Sequence, residues 1–167
     1  MKDDVYFFHQ TPITLCKELM KYVSYEDGDI LFEPFKGEGN FYNCFPTSTT
    51  NVWTEIEEGR CYTSYRDKID WVITNPPFRI IENGKRENTF YKVLNYFADR
   101  AEKGICILGN FSCFFALTPK RMSELNKKGF YLNQVVLCNV KAWKGRYYFM
   151  IFTKEPNDSF KYMLSYF

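Results

Sequence analysis

From Ile13 the chain places apolar side chains every three or four positions: Ile13, Leu15, Cys16, Leu19, Met20 and Val23. That spacing gathers them on one face of a helix. Thr11 and Pro12 stand just before it, a residue that caps through its hydroxyl and one suited to a first helical turn. Gly28 stops the pattern, so helix is predicted over residues 12–23. The period then changes. Residues 29–33, 51–55 and 70–74 are short apolar runs and read as buried strands, the first two ending in an acid. The third is closed by Asn75-Pro76-Pro77, and two prolines cannot continue a central strand. Residues 79–88 read as a mobile loop.

Phe90, Val93, Leu94, Phe97 and Ala101 share one helical face, which predicts helix over 89–102 with Gly104 ending it. Residues 105–108 are a further buried strand. Thr118-Pro119 repeats the cap-plus-proline signal and starts a helix that runs to about 128, stopped by Gly129. Residues 134–140 and 146–153 are the last two strands. Short apolar strands alternating with helices predict an α/β domain with a mostly parallel sheet. Only residues 141–145 separate the last two strands, too few for a parallel crossover, so these two should pair antiparallel.

Composition narrows the classes. The chain has 167 residues, of which 46% are hydrophobic and 25% charged. That describes one globular domain and excludes wholesale disorder. Apolar runs such as 147–152 are too short to span a bilayer, and Met1-Lys2-Asp3-Asp4 does not begin a secretory signal. The six cysteines sit at 16, 44, 61, 106, 113 and 138 with no close pair, and the single histidine is His9. No metal site is expected from that spacing, and the cysteines read as reduced thiols filling core positions. Charge is uneven: residues 1–118 hold 13 Lys/Arg against 17 Asp/Glu, and residues 119–167 hold 9 against 3. A basic final third is either a solvated face or a footprint for phosphates.

Ligands of open α/β sheets bind beyond the carboxyl ends of the strands, and three signals fall there. After the first strand comes Glu33-Pro34-Phe35-Lys36-Gly37-Glu38-Gly39-Asn40, where two glycines allow close backbone approach to a ligand or make a plain turn. Glu55 ends the second strand, where a carboxylate suits ribose hydroxyls. Asn75-Pro76-Pro77-Phe78 ends the third. With this composition an Asn-Pro-Pro triplet is expected about 0.02 times by chance. The prolines fix the backbone, so the Asn75 amide oxygen and the Pro76 carbonyl can be held side by side as acceptors, with Phe78 offering a flat face.

The order Thr11-Pro12, Glu33-Pro34-Phe35-x-Gly37-x-Gly39, Glu55-Ile56-Glu57, Asn75-Pro76-Pro77-Phe78 resembles that of S-adenosylmethionine-dependent adenine-N6 DNA methyltransferases. The resemblance runs from about Phe8 to Lys154, and Gly145-Arg146-Tyr147-Tyr148-Phe149 is like the closing strand of small phage-type members. It implies a single Rossmann-like methyltransferase domain over 1–167, without a separate target-recognition domain. Thr11 and Pro12 would lie near the methionine end of S-adenosylmethionine, Glu33 to Gly39 would form its loop, and Glu55 would bind its ribose. Ile56 would pack on its adenine, with Cys61, Tyr62 and Asn75 in the same cofactor region. Asn75 and Pro76 would accept from the target amino group, with Pro77 setting the turn and Phe78 stacking on the base.

Two features depart from that pattern. Cys61 stands where such enzymes usually carry an acid. Only 14 residues separate Glu55 from Asp70, which compresses the sheet between its second and fourth strands. Selectivity would fall to the 79–88 segment and to Lys120, Arg121, Lys127, Lys128, Lys141, Lys144 and Arg146 on DNA or RNA, or to a partner subunit. The phage-type look implies a cytoplasmic protein of a prokaryotic or virus-infected cell, with no membrane and no metal involved. The same four-residue segment also serves methylation of RNA amino groups or of a protein glutamine. A degenerate fold of this kind would instead be a module that binds nucleic acid or a partner.

Overall fold

A computed structural model describes residues 10–82, 85–141, 143–157 and 159, with the backbone alone for 79–82 and 85–88. Phe8, His9 and the first four residues lie outside them. In chain order the elements are α1 (Ile13–Met20), β1 (Ile30–Glu33), β2 (Thr50–Trp53), β3 (Ile69–Thr74), β4 (Arg79–Glu82) and β5 (Lys85–Asn88). Then come α2 (Thr89–Phe97), β6 (Ala101–Asn110), α3 (Phe111–Phe115), α4 (Pro119–Lys127), β7 (Tyr131–Cys138) and β8 (Tyr147–Thr153).

Six strands make one sheet in the order β2-β1-β3-β6-β8-β7. β2, β1, β3 and β6 run parallel, and β8 is antiparallel to both its neighbours. The antiparallel closing pair is as its short connection requires. Between β2 and β3 the chain makes one 3₁₀ turn, Ile56–Glu58, which is the compression expected there.

Alternation of side chains builds a core on each face. Val72, Ile105, Ile107, Met150 and Phe152 join Phe90, Val93, Leu94 and Phe97 of α2 and Met122 and Leu125 of α4. Trp71, Ile73, Cys106, Leu108, Phe149 and Ile151 meet Cys16, Leu19 and Met20 of α1, with Phe41, Phe45 and Trp143. Each fully buried aromatic or aliphatic side chain contributes on the order of 1.5–3 kcal/mol. Cys16, Cys106, Cys113 and Cys138 are buried and unbridged, as small core residues.

Four expectations are corrected. The 79–88 segment is an antiparallel ribbon, β4 with β5, whose register pairs Arg79 with Asn88 and Glu82 with Lys85; Asn83 and Gly84 lie outside the described residues. The helix expected to Glu102 ends at Phe97, because β6 already pairs Ala101 with Ile69 and Gly104 with Trp71. Gly104 is therefore a strand residue rather than a helix stop. A Cβ on it would lie 2.1 Å from Trp71 Cζ3, so the indole occupies the space a side chain would need. α3 follows β6 directly, where no helix is expected from the pattern. Finally, α1 is capped by Pro12 without a side-chain bond, and Thr11 turns its hydroxyl elsewhere. Thr118 does cap α4, accepting from Arg121 N at 3.4 Å.

Candidate active site

Glu33, Thr74 and Asn110 end β1, β3 and β6 on one edge of the sheet, and Glu55 lies two residues past β2. At that edge the loop after β1 is stitched to the end of β2. Thr54 N donates to Glu33 O at 3.0 Å, Thr54 Oγ1 to Pro34 O at 2.9 Å, and Lys36 N to Thr54 O at 3.1 Å. Gly37 and Gly39 take φ of 51° and 85°, left-handed backbone that a side chain would strain. The two acids of the region face inward on this loop. Glu55 Oε2 accepts from Gly37 N at 2.7 Å, and its Oε1 accepts from Glu57 N. Glu33 is buried, and its Oε1 accepts from Phe35 N at 3.2 Å and from Thr74 Oγ1 at 2.5 Å. Burial pushes the Glu33 carboxyl well above its usual value, against the two hydrogen bonds.

The turn after β3 meets the segment before α1. Asn75 Nδ2 donates to Thr11 Oγ1 at 3.1 Å. Thr11 is itself 4% exposed, and its carbonyl accepts from Asn40 Nδ2 at 2.8 Å. Asn40 is the last residue of the glycine loop, so Thr11 bridges that loop and the Asn75 turn. Pro76 is buried, Pro77 and Phe78 are half-buried, and the Phe78 ring lies 6.1 Å from that of Tyr147. Phe78 O accepts from Thr89 N, which joins the turn to α2. The edge thus gathers an amide, a carboxylate, left-handed glycines and an aromatic ring, a set suited to holding a nucleoside-like ligand next to a hydrogen-bonding site.

No protein-family profile matches the chain, and no curated protein matches it in sequence. Solved structures do match its shape. A modification subunit of a proposed type I restriction enzyme from Vibrio vulnificus aligns at TM-score 0.62 and 12% identity, over 87% of this chain and 44% of that one. A proposed class I S-adenosylmethionine-dependent methyltransferase from Listeria monocytogenes gives 0.60 and 12%, over 87% and 60%. A proposed RNA methyltransferase from Pyrococcus horikoshii gives 0.58 and 13%, over 85% and 80%. The chain has a Rossmann-like methyltransferase fold. It spans less than two thirds of the Vibrio and Listeria proteins.

On this methyltransferase fold the other expected residues fall in several places. Ile56 follows Glu55 and leaves 69% of its surface exposed. Cys61 Sγ lies 3.2 Å from Thr63 Oγ1. The Tyr62 ring packs among Phe35, Tyr96 and Phe97, so it supports the loop from beneath. The basic residues divide. Lys141, Lys144 and Arg146 are exposed between β7 and β8, at the edge that carries Asn75, and Lys120 is exposed at the start of α4. Arg121 donates to Ala116 O at 2.8 Å and lies over the Tyr91 ring. Lys127 and Lys128 end α4 near the opposite edge, where Lys128 pairs with Asp99 at 2.6 Å. The spacing of motifs does not point to Gln10, whose Oε1 accepts from Glu38 N and whose amide covers Gly37, nor to Thr74 or Tyr147. Asn40, by contrast, closes the glycine motif and is visible there.

Proposed function

We propose that the chain methylates the exocyclic N6 of adenine in DNA, using S-adenosylmethionine. The observation that carries this reading is the Thr11–Asn75 hydrogen bond: it holds one Nδ2 hydrogen on the Thr11 hydroxyl and so orients the amide, whose oxygen is an acceptor. The chemistry of the neighbouring groups fits the cofactor. Gly37 and Gly39 give the loop its left-handed turns, Glu55 is the carboxylate for ribose hydroxyls, and Ile56 is an exposed apolar side chain for a purine face. Thr11 and Pro12 would lie at the methionine end. When bound, S-adenosylmethionine supplies a methyl group activated by its sulfonium.

The chain's own work is on the adenine. Its amino nitrogen is a poor nucleophile because the lone pair is delocalised into the ring. Asn75 Oδ1 and the Pro76 carbonyl accept from its two N–H bonds, which favours a pyramidal nitrogen and stabilises the positive charge it develops. Phe78, held against Tyr147, gives the base a flat face, and Pro77 keeps the turn rigid so that little reorganisation is needed. A base in a duplex is flipped out to reach this site. The basic residues and the resemblance to a restriction-enzyme modification subunit support DNA as substrate, with a partner subunit adding target recognition.

Incubation with radiolabelled S-adenosylmethionine and DNA, RNA or protein fractions tests the reading. Label is expected in DNA as N6-methyladenine, and label confined to protein contradicts it. Cys61 in place of an acid favours a second reading, a binding module without catalysis. Calorimetry separates the two, since absence of binding at millimolar cofactor supports the module.

A further inference from the structure

α3 presents two aromatic rings to solvent. Phe111 and Phe115 are 60% and 76% exposed, and their rings stack 6.0 Å apart at 29°. Residues four apart share a helix face, so the two rings form one surface. The rest of α3 is anchored. Asn110 caps it by accepting from Cys113 N at 3.2 Å, and Cys113 is 1% exposed. Phe114 stacks on Tyr148 of β8, 4.9 Å away at 20°. Arg121 closes the C-terminal end through its bond to Ala116 O. The turn is therefore rigid beneath a face that carries exposed aromatic surface. Leu137, 62% exposed, pairs with Tyr148 in the β7–β8 ladder and extends the apolar face of the sheet there.

The position of this face is informative. α3 begins where β6 ends, on the edge that holds Asn75 and Phe78. Lys120 is exposed at the start of α4, which follows α3, and Lys141, Lys144 and Arg146 are exposed in the β7–β8 link at the same edge of the sheet. Flat rings and cations along one edge suit a single nucleic-acid strand, with bases stacked on the rings and phosphates on the cations.

We propose that the Phe111–Phe115 pair is a stacking platform for an unpaired base of the DNA strand beside the target adenine. This rests on the assignment of DNA as substrate. It means that the enzyme takes a strand with more than the target base unpaired. Because the platform is held rigid from below, stacking orders little of the protein, and each ring contributes directly to affinity.

The test is fluorescence anisotropy with a 5′-labelled, adenine-containing single-stranded oligodeoxynucleotide, without cofactor and across a salt series. Wild-type protein is expected to prefer this strand over a duplex of the same sequence. Phe111→Ala and Phe115→Ala each weaken strand binding by about fivefold to a hundredfold. They leave the slope of log affinity against log salt unchanged, since phosphate contacts remain. Lys141→Ala, Lys144→Ala and Arg146→Ala instead each lower that slope by about 0.7. Phe115→Trp, which keeps a flat ring, binds as wild type does. Melting temperature and S-adenosylmethionine affinity stay at wild-type values, because both rings are exposed. The proposal is overturned if wild-type protein does not bind the strand, or if the alanine variants bind it as wild type does. It is also overturned if the variants change only self-association in sedimentation. A protein that binds the strand through these rings but methylates no DNA keeps the platform and loses the assigned function. A DNA methylase indifferent to both substitutions does the reverse.

Discussion

Thr11 accepts a hydrogen bond from Asn75 Nδ2 although the two residues are 64 positions apart in sequence. A threonine placed to cap a helix is used instead to orient an amide. Thr11→Val keeps the shape and removes the acceptor, while the backbone bond from Asn40 survives. The single-turnover rate is expected to fall about twofold to tenfold, the usual net value of one hydrogen bond. Thr11→Ser should restore the rate. Equal losses in the serine and valine variants contradict an orienting role.

Glu55 and Gly37 are coupled through their 2.7 Å bond. Glu55→Ala removes both the loop contact and the carboxylate proposed for ribose, so cofactor affinity should fall at least about tenfold, since hydrogen bonds to charged groups contribute about 1.5–3 kcal/mol. Gly37→Val should abolish cofactor binding. A β-branched residue resists a φ of +51°, and its Cβ would meet the Gln10 amide at 2.8 Å. Titration calorimetry at matched folded fraction checks both, and a Gly37→Val protein that binds normally excludes this loop from the cofactor site.

Burial holds the Glu33 carboxyl well above its usual value. The folded chain then keeps a proton that the unfolded chain releases above about pH 4.3. Stability from this group is full below that pH and declines as pH rises toward the folded value. In a Glu33→Gln protein the amide that replaces the carboxyl retains an oxygen for Thr74 and Phe35 and cannot titrate. The stability of this variant relative to wild type should therefore increase in urea unfolding as pH rises from about 4.3 toward neutrality. Parallel curves for the two proteins contradict a protonated Glu33.

Gly104→Ala is expected to destabilise the fold by about 1–3 kcal/mol through overpacking, since Trp71 fills the space beside it. Trp71 cannot easily yield, because its Nε1 donates to Asp29 Oδ2 at 3.2 Å. Urea midpoints check this, and an unchanged midpoint contradicts it.

The same glycine shows where the sequence is readable and where it is not. β1, β3 and the centre of β6 stand out because strands buried on both faces are continuous apolar runs, and β7 and β8 have to pair antiparallel across so short a link. Gly104 reads as a helix stop because its requirement comes from Trp71, 33 positions away, which local spacing does not encode. The 79–88 ribbon reads as a loop although Asn83-Gly84 between two short runs is the usual hairpin signal. α3 escapes the pattern because two of its five residues are exposed phenylalanines, which breaks the amphipathic spacing. At the site, the glycine loop, Glu55 and Asn75 are visible at strand ends, where topology places ligands. The pairing of Thr11 with Asn75 is not, since it joins two segments that only the fold brings together.

The most direct test of the account is single-turnover methylation of DNA by Asn75→Ala. Removal of one preorganised hydrogen-bonding group should lower the rate by about 10²–10³. Cofactor affinity should change little, because the groups assigned to the cofactor lie mainly on the 33–39 loop and Glu55. A folded Asn75→Ala protein that methylates adenine at near wild-type rate would contradict the catalytic role of Asn75 and the assignment built on it.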